Sequence, residues 1–248
     1  MNMLEELRQY YNEVGISSLD FRCKHHEECK AGAEKFTKAK AALVGKEYQS
    51  RKLPRLLFIS LDSGSGDELA EPRTACEVQK QYEQSNPLGG GKNKHWYRTH
   101  ELAYEILKTF GSNMTIDSVK GYFAHTNSAK CCMNKPGRRK ADRKLFTNCK
   151  EYIPDEVRIL KPDIIITQGN EAKYSITGVF PILELENFIS IEKWKPSYYR
   201  EVTAISISDV PVLWIRTYHP GCYGLFNKHT RARVGDYSQI SHEFHRNF

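Results

Sequence analysis

The sequence lacks both a long apolar run and a segment that resembles a secretory signal. The longest apolar stretches, residues 56–59 and 164–166, are as short as single β-strands, whereas a membrane-spanning helix needs about 20 apolar residues. Residues 1–11 form an amphipathic pattern that contains Glu5 and Glu6, which is not typical of a signal peptide. These absences predict no membrane partner and a cytoplasmic location.

The chain also lacks internal repeats and low-complexity tracts. Its 248 residues are 40% hydrophobic and 27% charged, which is ordinary for a globular protein and sufficient for one sizeable α/β domain. We therefore expect a single domain over residues 1–248, with a helical and cysteine-rich extension at about residues 1–50.

The chain also does not have the even number of cysteines that a full set of disulfides would need. The chain has seven cysteines, and an odd number without a signal peptide argues against a disulfide framework. Metal ligation and simple burial both remain as explanations.

Positive charge exceeds negative charge, with a formal net charge of +7 and a pI near 8.9. The excess is concentrated in two clusters, which are either solvated loops or a groove that neutralises phosphates. The first cluster contains Lys135, Arg138, Arg139, Lys140, Arg143 and Lys144, and the second contains Lys228, Arg231 and Arg233.

Apolar patterning predicts strands that alternate with helices. This alternation favours right-handed crossovers and a mostly parallel sheet, so the predicted fold is a three-layer α/β/α sandwich with a central four-stranded, mostly parallel sheet. Residues 189–208 are either an extra hairpin or a surface excursion. The predicted strands are 56–62, 119–127, 163–169 and 212–219, and the predicted helices are 3–14, 31–44, 100–110 and 145–160, with a kink at Pro154.

Three polar residues follow predicted strands directly. Asp62, Asn127 and His219 would lie at the carboxyl ends of parallel strands, which is where open α/β sheets bind ligands. Each residue also has a purely structural explanation: a turn or helix cap for Asp62, a turn for Asn127 and a packed histidine for His219.

In chain order, these segments resemble the uracil-DNA glycosylase superfamily, most closely its iron–sulfur-containing branch (families four and five). The resemblance covers about residues 55–230. It is carried by Asn127-Ser128-Ala129-Lys130-Cys131 with Pro136 and Arg138, by residues 149–156 and 160–169, and by Tyr218-His219-Pro220.

The resemblance implies a DNA glycosylase that acts in base excision repair. Such an enzyme flips a uracil or a modified pyrimidine out of DNA and hydrolyses its N-glycosidic bond, which leaves an abasic site. Asp62 and His219 would be catalytic, and Asn127, Ser63 and Gly64 would bind the base.

The first motif departs from that of the iron–sulfur branch. Leu61 stands where that branch carries Glu, and Asp62 matches the Asp of the archetypal uracil enzymes. Asp67 is a second candidate carboxylate. Gly64 replaces the bulky aromatic that excludes C5-substituted pyrimidines, so a bulky C5-modified base, as in defence against phage, is a further expected substrate.

The resemblance also implies contacts with DNA and with a cofactor. Lys135, Arg138, Arg139 and Arg231 would contact the DNA backbone, and Leu225 or Phe226 would fill the space that the flipped base vacates. Cys23, Cys29, Cys131 and Cys149 would hold a [4Fe–4S] cluster, although five residues separate the first two instead of two. Zinc, with His25 or His26 as a ligand, is the alternative metal.

The expected partner is DNA and the expected state is a monomer. Two other functions stay open. One is a module of the same fold that binds or covalently traps a modified base without turnover, and the other is a metal-binding nucleic-acid adaptor unrelated to base excision.

Overall fold

A computed structural model describes residues 2–33, 35–63, 73–84, 86, 95–111, 113–134, 142–190 and 201–247. The elements are α1 Met3–Glu13, α2 His26–Lys30, β1 Lys35–Thr37, β2 Leu43–Val44, β3 Leu56–Asp62, α3 Ala75–Gln84, α4 His95–Leu107, β4 Phe123–Ala129, β5 Cys132–Asn134, α5 Arg143–Cys149, α6 Ile153–Leu160, β6 Ile164–Gln168, α7 Asn170–Ile176, β7 Ile182–Leu183, β8 Val202–Ile207, β9 Val210–Thr217, α8 Tyr223–Leu225 and α9 Val234–Arg246.

The main sheet is mixed, with strand order β2-β4-β3-β6-β9-β8-β7. The pairings β4–β3, β3–β6 and β6–β9 are parallel, and those of β2, β8 and β7 are antiparallel. The predicted α/β class is therefore confirmed. The predicted four-stranded, mostly parallel sheet is wrong, because β2, β7 and β8 extend the described sheet to seven strands and all three of these strands pair antiparallel.

Both faces of this sheet are covered, and each carries its own apolar core. Leu57, Ile59 and Ile165 point to the face on which α1, α5 and α6 pack. Their neighbours Leu56 and Phe58 point to the opposite face, against α3, α4 and α9. Successive residues of a strand face opposite sides, so a strand covered on both faces reads as a continuous apolar run. Polar side chains are then accommodated best where the strands end.

Two of the predicted helices differ from the observed elements. Residues 31–44 contain strands β1 and β2 instead of a helix. Their backbone amides bond to distant segments, with Lys40 donating to the Lys130 carbonyl and Ala41 to the Arg73 carbonyl. The predicted helix 145–160 is divided into α5 and α6. Pro154 lies in the first turn of α6, where its missing N–H removes no helical hydrogen bond.

For residues 189–208 the sequence left open an extra hairpin or a surface excursion, and the structure of residues 202–207 favours the hairpin. They form β8, which pairs antiparallel with β9, as an extra hairpin would. Residues 191–200 lie outside the described part of the chain.

A buried ion pair joins three elements beside the first core. Lys130, directly after β4, pairs with Glu156 on α6, and the two side chains are 1% and 0% exposed. The hydroxyls of Tyr11 and Thr126 donate to the same carboxylate. Because buried charges need partners and hydrogen bonds, this network fixes α1 and α6 against the end of β4.

Among the helices of the described ranges, none is long and apolar enough to cross a membrane.

Candidate functional site at the strand ends

The ends of β3 and β4 hold Asp62 and Asn127 next to each other. The two strands are parallel neighbours in which Ser60 is opposite Asn127. Nδ2 of Asn127 donates a 2.7 Å hydrogen bond to the backbone carbonyl of Asp62. The Ser128 hydroxyl donates to the carbonyls of Ser60 and Leu61. The end of β3 is therefore fixed from β4, and the direction in which Asp62 leaves the sheet is fixed with it.

Ser63, which was predicted to bind the base, directly follows this fixed strand end. Its hydroxyl oxygen is buried and has no hydrogen-bond partner in the described ranges. A buried polar atom without a partner is costly and is characteristic of sites that bind a ligand or a water molecule.

His219 follows β9 and packs closely over the end of β6. A Cβ atom on Gly169 would lie 3.2 Å from Cβ of His219 and 3.2 Å from a methyl carbon of Leu61. Gly169 also has a φ of 99°, a conformation that side-chain-bearing residues rarely adopt. Glycine at this position therefore allows His219 to approach the ends of β3 and β6.

The tautomer of His219 is fixed by the turn that follows it. The backbone amide of Gly221 donates a 3.1 Å hydrogen bond to Nδ1 of His219. An imidazole that accepts at Nδ1 and is neutral carries its proton on Nε2. Burial lowers the pKa of His219, and the Asp62 carboxylate opposes that change. The ring is thus a neutral hydrogen-bond donor within the electrostatic range of Asp62.

A second histidine, His95, packs face to face against His219. The ring centroids are 4.9 Å apart and the planes differ by 19°. His95 is the first residue of α4, and burial lowers its pKa to about 3. His95 could not be predicted from the sequence, because nothing in a helical pattern marks a residue that contacts a loop more than 100 positions away.

Beneath these rings lies a chain of neutral polar groups. His125 Nε2 is 2.8 Å from the Ser60 hydroxyl, which donates to the side-chain carbonyl of Gln168 over 2.6 Å. The Gln168 amide reaches Thr99 on α4. Burial lowers the pKa of His125 well below its ordinary value. The site therefore rests on a buried network that links β3, β4, β6 and α4 without a formal charge.

The turn after His219 is also held by α4. Nη1 of Arg98 donates a 2.8 Å hydrogen bond to the carbonyl of Pro220. The same guanidinium lies 4.3 Å from the centre of the Tyr223 ring, a cation–π contact. One turn of α4 thus contacts both His219 and the residue that follows it.

The predicted DNA-contacting residues after His219 differ in exposure. Leu225 is 48% exposed, whereas Phe226 is only 2% exposed and lies beneath Arg98. The prediction that Phe226 could enter DNA is corrected by this burial, which leaves Leu225. Arg231 forms an ion pair with Glu101 at 2.5 Å, so an acidic neighbour already offsets part of its charge.

Four of the predicted site residues cannot be placed. Gly64, Lys135, Arg138 and Arg139 lie outside the described residues, as does the alternative carboxylate Asp67.

A cleft of about 480 Å³ adjoins His219, a size typical of small-ligand sites. Neither Asp62 nor Asn127 lines it. Its lining residues come from β3, α7, β9, the residues next to β6 and β8, and the turn and short helix after β9. They are Leu61, Gly169, Asn170, Glu171, Lys173, Glu201, Arg216, Thr217, Tyr218, His219, Cys222 and Leu225.

The four cysteines predicted as metal ligands influence one another electrostatically. Burial raises the pKa of the Cys131 thiol, and negative charge on Cys149, Cys23 or Cys29 raises it further. The pKa of Cys149 is raised to about 11, first by burial and then by Cys29 and Cys23, with Lys130 opposing the change. Four thiols from three segments are therefore within electrostatic range of one another, and their donor chemistry suits a metal that binds thiolates.

Two further observations concern a metal at this place. The histidines of the zinc alternative have other partners, since His25 contacts the Glu151 carboxylate at 2.7 Å and His26 packs edge-on against Phe21. Within the described ranges, no group of three or more histidine, cysteine or acidic side chains has the geometry to hold a metal ion as it stands.

No protein-family model and no curated protein matches this chain. Any assignment of function therefore depends on the strand-end residues and their surroundings.

Proposed function

We propose that this protein is a DNA glycosylase that hydrolyses the N-glycosidic bond of a uracil or a modified pyrimidine. One observation carries the proposal. Asp62 lies on β3, Asn127 on β4 and His219 directly after β9, yet Asn127 bonds to the backbone of Asp62 and His219 is within the electrostatic range of the Asp62 carboxylate. A carboxylate, an amide and a neutral imidazole in one place are the groups that this reaction needs.

His219 would stabilise the base as it leaves. Negative charge develops on the base oxygen while the glycosidic bond breaks, and a fixed donor aimed at that oxygen lowers the barrier. The proton of the neutral imidazole is on Nε2, because Nδ1 accepts from Gly221. The ring can therefore donate a hydrogen bond without first changing its protonation state.

Asp62 and Asn127 would act on the sugar side and on the base edge. A carboxylate next to the sugar stabilises its developing positive charge and orients the attacking water. The Asn127 amide uses one Nδ2 hydrogen for the Asp62 carbonyl and retains a second hydrogen and Oδ1, a donor and an acceptor that suit the edge of a pyrimidine. Ser63 would add a third polar contact.

DNA would be bound as in other enzymes that flip bases. The exposed side chain of Leu225 would fill the gap left by the flipped nucleotide. Arg231, with Lys135, Arg138 and Arg139, would contact the phosphates, so binding would weaken as the salt concentration rises.

The four neighbouring cysteines would hold a [4Fe–4S] cluster, which fits a set of four thiolate donors. Cys23, Cys29, Cys131 and Cys149 would be its ligands. When bound, the cluster would cross-link the N-terminal segment to the ends of β4 and α5. The visible absorption of aerobically and anaerobically purified protein, with iron and sulfide analyses, tests this assignment against zinc.

The test of the function is base release from a panel of oligonucleotides that carry uracil, hypoxanthine or a bulky C5-modified pyrimidine. We expect alkali-labile sites on at least one of them, and at least about 100-fold slower release by Asp62→Asn and His219→Ala. Asp209→Asn and His242→Ala are matched controls outside the site and should retain full activity.

Three results would count against this function. Undiminished release by both site variants would exclude the assigned roles. Tight binding or covalent trapping of modified DNA without a free base would favour the non-catalytic module of the same fold. If none of the oligonucleotides shows base release or specific binding, both functions are excluded.

A further inference from the structure

We propose that His95 is a positioning residue for His219, holding that neutral ring in one orientation at the ends of the strands. The proposal deepens the function proposed above, because it assigns a partner to the residue that would stabilise the leaving base. It concerns a residue that the motifs at the strand ends do not include.

The contact between the two rings is specific in distance and angle. A centroid separation of 4.9 Å with planes 19° apart is close to an offset stack, a favoured arrangement for aromatic rings. Packed in this way, His219 can rotate only if α4 moves or if the stack is lost. His219 is confined elsewhere by Gly169 and Gly221, where an added Cβ atom would lie 3.2 Å from Cβ of His219 and 3.0 Å from Nδ1 of its ring.

His95 itself is suited to a neutral stack. Its Nε2 atom is buried and has no hydrogen-bond partner in the part of the chain that the structure describes. A proton added to the ring would therefore have no acceptor at that atom, and the resulting charge would lie beside His219. Burial together with the His219 ring accordingly lowers the pKa of His95, and Gln168 only partly opposes them.

The remaining groups near His219 would not restrain the ring in this way. On β3, the Asp62 carboxylate favours the protonated form of His219. Across the adjoining cleft, α7, the residue before β8, β9 and the following turn present charges of both signs, one phenol and one thiol. These side chains are Glu171, Lys173, Glu201, Arg216, Tyr218 and Cys222.

A second contact from the same helical turn supports this role. Arg98 lies three positions after His95 and bonds to the carbonyl of Pro220, the residue after His219. Ring and backbone are thus both held from the start of α4. If His95 positions His219, its loss should slow the chemical step more than it weakens substrate binding, because only the transition state depends on the aligned donor.

The decisive measurement is the pKa of His219 in the full-length protein without DNA. Histidine labelled with ¹³C at Cε1 allows an NMR titration of the wild type, His95→Ala and His95→Phe, and His219→Gln identifies the signal. In His95→Ala, water reaches the ring, so we expect the pKa of His219 to rise towards its ordinary value. In His95→Phe, a flat ring remains, so the pKa should stay low.

His242→Phe is the matched control, since His242 packs against Phe110 and is not among the residues assigned to the site. An unchanged pKa of His219 in His95→Ala would overturn the proposal, and so would an equal rise in both His95 variants. Melting curves show whether each variant is folded, and His95→Phe keeps the test valid if His95→Ala is not.

Kinetics on the substrate found by the oligonucleotide panel provide the second readout. We expect His95→Ala to lower kcat at least about tenfold with a smaller change in KM, and His95→Phe to recover most of the loss. A kcat of His95→Ala equal to that of the wild type would overturn the proposal. If the pKa shift is found but no DNA releases a base, the positioning role stands and the glycosylase function fails.

Discussion

The amide of Gly221 lies 3.1 Å from Nδ1 of His219 and donates a hydrogen bond to it. Protonation of Nδ1 would break this bond, so the contact acts together with burial to keep the ring neutral. A turn of three residues thus fixes the tautomer, and together with burial favours the neutral form, of the histidine on which the proposed reaction depends.

Replacement of Gly221 tests this turn. A Cβ atom there would lie 3.0 Å from Nδ1 and 3.2 Å from Cε1 of His219, so Gly221→Ala should displace the ring by a few tenths of an ångström. We expect base release to slow at least about tenfold, because misplaced catalytic groups lose much of their effect. Gly224→Ala is the control, since a Cβ atom there meets nothing within 4 Å. Equal rates for the two variants would show that the close approach is unimportant.

Replacement of Gly169 should lower stability as well as activity. Its φ of 99° and the 3.2 Å contacts of an added Cβ atom combine backbone strain with a clash. We expect Gly169→Ala to lower the free energy of unfolding by about 1–3 kcal/mol, measured by urea denaturation. Gly235→Ala, in α9 with open space around it, should be neutral or stabilising. A Gly169→Ala protein as stable as the wild type contradicts the argument.

The buried ion pair between Lys130 and Glu156 should be far more sensitive than an exposed pair. Lys130→Met leaves the Glu156 carboxylate without its cation in the interior, so we expect a loss of about 3–5 kcal/mol. Arg8→Met, which removes an exposed pair with Glu5, should cost at most about 1 kcal/mol. The double variant Lys130→Met/Glu156→Gln should be less destabilised than Lys130→Met. Additive losses in this double-mutant cycle would refute the coupling.

Stability should fall in mild acid because of the buried histidines. Burial lowers the pKa of His100 from 6.5 to about 4, so below pH 6.5 the unfolded chain binds a proton that the folded chain does not. The stabilisation is complete above about pH 6.5 and is lost as the pH falls to about 4, with a slope of up to about 1.4 kcal/mol per pH unit. Urea denaturation at several pH values should give a smaller slope for His100→Gln than for His242→Gln. The same slope in both would rule out this contribution.

Leu225 and Phe226 are neighbours with opposite expected effects. Leu225 is exposed and Phe226 buried, so Leu225→Ala should leave the melting temperature nearly unchanged but weaken binding to DNA that contains the target base. Phe226→Ala should instead lower stability by about 3–5 kcal/mol. Calorimetry and a DNA-binding titration separate the two effects. If Leu225→Ala binds DNA as tightly as the wild type, the wedge assignment is wrong.

The sequence predicts the inner strands well for a physical reason. Residues 56–60 and 164–168 are buried on both faces, so their apolar runs alone predict strands. Residues 43–44 gave no such signal. They form β2 only because β4 offers a partner edge, and the apolar spacing around them is equally compatible with a helix. Such short edge strands depend on tertiary pairing, which local pattern does not encode.

The candidate site likewise combines residues that local patterns predict with residues that depend on tertiary contacts. Asp62, Asn127 and His219 were predicted from their positions after strands, and parallel pairing brings strand ends together. Their chemical roles remain predictions. His95 and Arg98 were not predicted, because both lie in an otherwise ordinary helix. Arg98 is also 122 positions away from its partner Pro220. The burial of Phe226 likewise depends on Arg98 and could not be deduced from the apolar turn.

The attachment of the His219 turn to α4 also has an evolutionary consequence. Since His95 and Arg98 occupy a single turn of one helix, a small rotation of that helix alters the ring contact and the Pro220 hydrogen bond simultaneously. Natural variants that replace one of these residues are therefore expected to replace the others as well. His95, Arg98 and His219 should then be inherited as a linked set, which would identify relatives that share this site even where the strand-end motifs have diverged.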